Sequence, residues 1–135
     1  GTALDVAGFM WDLLGPEPRV LGGETLAQMA RFQPLNLGWG AGYFQYGAGL
    51  MVETTSYAGH PPAWPEWGTY VGHGGDTYGF LSEQGIVAHL NASVAIVANQ
   101  DSDGAIVQRN AFCKMIQTSA KVLLGQTLDL RCPKG

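Results

Sequence analysis

Apolar positions along the chain follow two periods, and the change from one to the other divides the sequence. Leu4, Ala7, Gly8, Met10, Trp11 and Leu14 recur at helical spacing, the stripe of a helix that buries one side. Gly15-Pro16-Glu17-Pro18 stops it, because proline has no amide hydrogen and restricts the residue before it. A shorter helix is predicted over Thr25–Phe32, with Leu26, Met29 and Ala30 on one side. Gln33 to Gly42, with Pro34, Asn36 and three glycines, reads as loop.

From Gln45 onward the pattern is that of strands. Gln45–Thr55 is predicted as one strand, with Tyr46, Leu50 and Val52 as apolar members. Ser56–Trp67 holds too many prolines for a central strand. Its Trp64 and Trp67 either border a binding site or pin the loop to the core. Thr69–Gly72, Phe80–Ala88 and Ser93–Asn99 are joined by short turns and should lie side by side in an antiparallel sheet. Asp101-Ser102-Asp103-Gly104 supplies a cap for a closing helix over Ala105–Leu124, ended by Gly125. Ile106, Arg109, Cys113, Ile116, Ala120 and Leu123 should share one side of that helix. The expected class is α/β of the α+β kind, an antiparallel sheet flanked by helices.

Composition narrows the partners. The 135 residues fit one domain or a piece of a larger one. Only 13% are charged, against about a quarter in ordinary globular proteins, which suits burial against another chain or a covering of sugar. The net charge is −4 and the seven Lys and Arg are scattered, so no basic cluster is present to neutralise phosphates and no nucleic acid is expected as partner. The longest apolar runs fall far short of a membrane span. The chain opens Gly1-Thr2-Ala3 without Met or a basic leader, so a processed or partial product is expected. The first two helices have no evident core to bury within these residues, which adds to the expectation of a covering partner.

Cys113 and Cys132 belong to no metal-ligand spacing. They are either a disulfide tying the tail to the closing helix or two buried thiols, and the disulfide is the natural expectation. Asn91-Ala92-Ser93 is an N-glycosylation sequon in a predicted hairpin turn. Together the two features favour a secretory route and an extracellular place.

Candidate chemistry centres on Gly72-His73-Gly74-Gly75-Asp76-Thr77-Tyr78-Gly79-Phe80. One imidazole among four glycines lets a ligand lie against the backbone and meet main-chain donors. His60, His73 and His89 show no metal-ligand pattern, and no metal or cofactor is expected. Gly-x-Ser-x-Gly and His-Glu-x-x-His are both absent from the chain.

Three segments in order resemble the C-terminal portion of the serine β-lactamase and D,D-peptidase superfamily, in its class C and esterase-like branch. Thr2 to Leu14 with Leu26-Ala27-Gln28-Met29 looks like the last helices of that family's helical region. Tyr46-Gly47-Ala48-Gly49-Leu50-Met51-Val52 is similar to its "YGLGW" strand. Gly72 to Phe80, followed by Val94-Ala95-Ile96-Val97-Ala98-Asn99-Gln100-Asp101, looks like its third active-site motif and the next strand. The resemblance implies a β-lactamase-like transpeptidase fold, with residues 1–32 ending the helical region, 45–125 forming sheet and closing helix, and 126–135 a tail.

It also implies acyl-enzyme chemistry on a small amide, ester or peptide, with His73 and Asp76 as catalytic groups and Gly74, Gly75 and Tyr78 lining the substrate. The Asp76 N–H would donate to the oxyanion. The family's Ser-x-x-Lys and Tyr-x-Asn are missing; Thr118-Ser119-Ala120-Lys121 lies in the closing helix, where the family has no nucleophile. The N-terminal part of the same precursor, or a second chain, would have to supply them and cover the sheet edge. The alternative is a catalytically inactive, β-lactamase-like extracellular structural or binding glycoprotein.

Overall fold

In the computed structural model, which describes residues 1–37, 44–55, 62–100 and 106–134, the chain is α+β. Three helices, α1 (Ala3–Leu14), α2 (Gly23–Met29) and α3 (Ile106–Leu124), surround an open antiparallel sheet. Its strands are β1 (Gln33–Pro34), β2 (Gln45–Tyr46), β3 (Met51–Thr54), β4 (Thr69–Thr77), β5 (Phe80–Val87) and β6 (Ala92–Ala98). They lie side by side in chain order, so every described connection joins neighbours.

α1 starts where a capping box allows it. Thr2 Oγ1 accepts from the Asp5 N–H at 3.2 Å, and the Thr2 N–H donates to Asp5 Oδ2 at 2.6 Å, which satisfies two amides that have no partner inside the helix. Met10 and Leu13 are buried, and the helix packs on β5 and β6. This corrects the expectation that the first helix finds no core within the chain. Its outer side stays open, with Leu4 80% exposed.

The single strand predicted over Gln45–Thr55 is two strands with a turn between them. The Gly47 N–H donates to Leu50 O at 2.8 Å, and Gly49 takes a left-handed φ of 72° that favours glycine. A periodicity reading misses the break because Tyr46, Leu50 and Val52 keep even spacing across it. Gln33–Pro34, expected as loop, pairs with β2.

β4 is the larger correction. It was expected to end at Gly72 but continues to Thr77, with an unbroken register against β5 from Val71↔Ile86 to Thr77↔Phe80. Gly72 lies opposite Gly85, and a Cβ on Gly72 would sit 1.9 Å from Gln84 O, and one on Gly85 2.4 Å from Val71 O. Here glycine permits close approach of two strands. The reversal comes later, at Tyr78 (φ 44°) and Gly79 (φ 89°), the two positive φ values a two-residue hairpin loop needs.

Tyr70, Val87, Leu90, Phe112, Ile116 and Ala120 form one core between the sheet and α3, with Trp67, Val94, Ile96, Leu128 and Leu130 packed around it. Leu50, Val52 and Val71 form a second with Leu14, Met29 and Phe32. Leu123, expected on the inner side of α3, is 65% exposed. Phe112 takes that role, one turn before Ile116 and two before Ala120. Cys113 and Cys132 are joined by a disulfide with Cα atoms 5.6 Å apart. Gln117 Nε2 donates to Leu128 O at 3.1 Å, and the Asn110 side-chain amide donates to Pro133 O, so the tail lies back along α3. The capping run Asp101–Gly104, His60 and the Ile106 side chain lie outside the described residues.

Candidate active site

A difference in strand length creates the site. β3 has four residues and β4 nine, and their pairing runs only from Thr54↔Thr69 to Met51↔Gly72. His73 to Thr77 therefore extend past the end of β3, leaving a notch along one side of β4 among the described residues.

Backbone direction in the notch follows from register. The Thr55 N–H donates to Gly68 O at 2.8 Å, one step beyond the Thr54↔Thr69 pair. Alternation in an antiparallel ladder then aims the main-chain groups of Tyr70, Gly72, Gly74 and Asp76 toward the β3 side, and those of His73 and Gly75 toward β5. Gly74 agrees, since its N–H acts on the Glu53 carboxyl of β3. Asp76, paired with Leu81 of β5 in register, turns its N–H to the side that β3 does not reach.

The His73 ring sits in this notch. Its Nδ1 faces Gly74 O, and its Nε2 lies 2.9 Å from Tyr46 Oη. A carbonyl oxygen only accepts, so Nδ1 carries a proton, and in the uncharged ring Nε2 accepts from the tyrosine hydroxyl. The two rings meet edge to face at 5.8 Å. Gln45 Nε2 donates to Pro62 O at 2.7 Å, which ties the residue beside Tyr46 to the proline-rich loop. The sequence reading missed Tyr46 as a site residue. The signal is the β2–β3 turn, which brings β2 level with the end of β3.

The expected lining is only partly gathered. His73, Gly74, Gly75 and Asp76 follow one another along the open stretch of β4. Tyr78 is at the hairpin tip, 98% exposed, where it walls nothing. Trp67 stacks on His89 at 4.7 Å and belongs to the α3 core, so it pins its loop to the body of the protein. Asn91 is exposed at a left-handed position between β5 and β6.

A second polar cluster, unforeseen in the sequence, lies beneath α3. Arg109 Nε is 3.1 Å from Glu83 Oε1, and its Nη2 is 3.5 Å from Glu53 Oε2. Tyr70 Oη donates to Glu83 Oε2 at 3.2 Å, and the Phe44 ring lies 5.2 Å from the guanidinium carbon. Glu53 Oε1 meets no hydrogen-bond partner among the described residues. Burial pushes the Glu83 carboxyl up to about 7, with the Glu53 charge adding and Arg109 opposing. Burial likewise raises Glu53, against the pull of Arg109, Tyr70 and the Gly74 amide.

Among the described residues no group of three or more His, Cys, Asp or Glu side chains is arranged to hold a metal ion, and no helix is long and apolar enough to cross a membrane. No family model matches the chain, and no curated protein matches it in sequence.

Proposed function

We propose that this chain is the C-terminal portion of a β-lactamase-like serine hydrolase that forms an acyl-enzyme on an amide or ester. The observation that carries the reading is the Asp76 N–H, aimed at the open side of β4 three residues beyond His73. A donor for a transient oxyanion has to be free of the sheet ladder, and among the described residues β3 ends before it reaches this amide. The nucleophile and its proton-handling partners lie outside these residues, in the N-terminal part of the precursor or a second chain. A route through the secretory pathway fits the Cys113–Cys132 disulfide and the exposed sequon at Asn91.

The test is labelling of the complete protein with a fluorophosphonate or β-lactam probe. A covalent adduct on a serine, formed ten- to a thousandfold more slowly in His73→Ala, is the expected result, the scale of one lost polar contact to a transition state. A folded protein that takes no label under any condition sinks the reading.

One observation favours the alternative of an inactive extracellular structural or binding glycoprotein. Both ring nitrogens of His73 already have partners inside the chain, as in a residue kept for structure. An adduct formed equally fast in His73→Ala would support a hydrolase whose third motif is only architectural.

A further inference from the structure

We propose that Tyr46 is a positioning residue for His73, fixing the uncharged imidazole in its Nδ1–H tautomer, and that the notch is thereby built for a neutral acyl ligand rather than a carboxylate. The inference rests on the hydrolase reading for its ligand half only; the tautomer half stands on geometry alone.

The first half follows from two contacts. Gly74 O can only accept, so it selects the proton on Nδ1. That leaves Nε2 as an acceptor, and Tyr46 Oη is 2.9 Å away with a proton to give. Gly74 O selects the tautomer, and Tyr46, whose hydroxyl can donate or accept, takes the donor role this leaves, so the ring is held at both ends. Tyr46 is held in turn by β2, whose Gln45 and Tyr46 pair with Val52 and Met51 of β3.

The second half is a matter of charge. None of the six strands contains a Lys or Arg. Arg109, which reaches the sheet from α3, is spent on Glu53 and Glu83. An imidazole with both nitrogens engaged offers no free N–H to an anion, and the Asp76 carboxylate is exposed on the same strand. A carboxylate entering the notch meets the Asp76 amide and no Lys or Arg of the sheet strands, whereas a neutral ester or amide carbonyl needs only that donor.

Ring nitrogen resonances of histidine-labelled chain, recorded at alkaline pH, test the first half. Wild type should show a protonated Nδ1 and a bare Nε2 for His73; a protonated Nε2 overturns the proposal without any variant. In Tyr46→Phe, which keeps the ring and its packing, the tautomer ratio should move about two- to tenfold, the factor for one net hydrogen bond. An unchanged ratio in a folded variant means Gly74 alone positions the ring, and Tyr46 has no such role.

The Asp76 amide resonance tests the second half, using N-acetylalanine methyl ester and N-acetylalanine as probes. The ester should shift it at concentrations at least tenfold below those the acid needs. A stronger response to the acid overturns the ligand preference while leaving the acyl-site reading in place. No response to either removes the acyl site and the preference with it, and the tautomer result stands or falls by itself.

Discussion

Arg109 Nε lies 3.1 Å from Glu83 Oε1, a charge pair in which the carboxylate is buried under α3 while the guanidinium stays half-buried. One guanidinium serves two buried carboxyls, since Nη2 also reaches Glu53. Full ionisation leaves one uncompensated negative charge under the helix, the costly state for a low-dielectric site.

The consequence is a stability that falls as pH rises. Glu83 is raised in the folded state from 4.5 to about 7, so folding favours its protonated form. Its contribution is fully present below about pH 4.5 and lost as pH climbs through 7. The difference should be on the order of 2–3 kcal/mol. Denaturant midpoints measured from pH 5 to 8 should decline for wild type and flatten in Glu83→Gln. Identical slopes for the two proteins would rule the carboxyl out as the cause.

Gly85→Ala should be severely destabilising. The added Cβ meets Val71 O at 2.4 Å and the Tyr70 ring at 2.7 Å, so β4 and β5 have to separate next to the α3 core. A loss of about 2–4 kcal/mol is expected from overpacking at a backbone contact. Gly79→Ala, at a left-handed position with open space around it, should cost only about 1 kcal/mol. Equal losses in the two variants would show that strand approach is not the constraint.

Replacing both Cys113 and Cys132 by serine should lower stability by roughly 3 kcal/mol on loop-closure grounds. The tail is also held by Gln117 Nε2 on Leu128 O and Leu130 O, so the protein should still fold. A melting temperature equal to wild type would show that these bonds hold the tail unaided.

Asn91 should carry a glycan in material from a secretory host. It is exposed at the turn before β6, with Ser93 completing the acceptor. Mass spectrometry after glycosidase treatment reads the change, and Ser93→Ala should abolish it. An unmodified Asn91 in secreted material would remove one support for an extracellular place.

The parts legible in the sequence were those fixed by local chemistry. Gly15-Pro16 and Gly125 ended helices within a residue of their predicted limits, because breakers act where they stand. The order of β4, β5 and β6 followed from short connections. What escaped depends on register. Gly72 and Gly85 are thirteen residues apart in sequence, and only their opposition across the ladder turns an apparent loop into a strand. Glu53, Glu83 and Arg109 come from three separate elements, and nothing local marks them as neighbours. Tyr46 and His73 met for the same reason, through the early end of β3.

That early end makes the notch a product of chain length more than of side-chain identity. Its donors are main-chain groups, so substitution at Asp76 alters the decoration and leaves the opening intact. Lengthening the β2–β3 hairpin by four residues on each arm would let β3 zip along His73 to Asp76 and consume the Asp76 amide, sealing the edge as ordinary sheet. The width of the opening is thus counted in residues of a neighbouring hairpin, a ruler that insertions and deletions can change and point substitutions cannot.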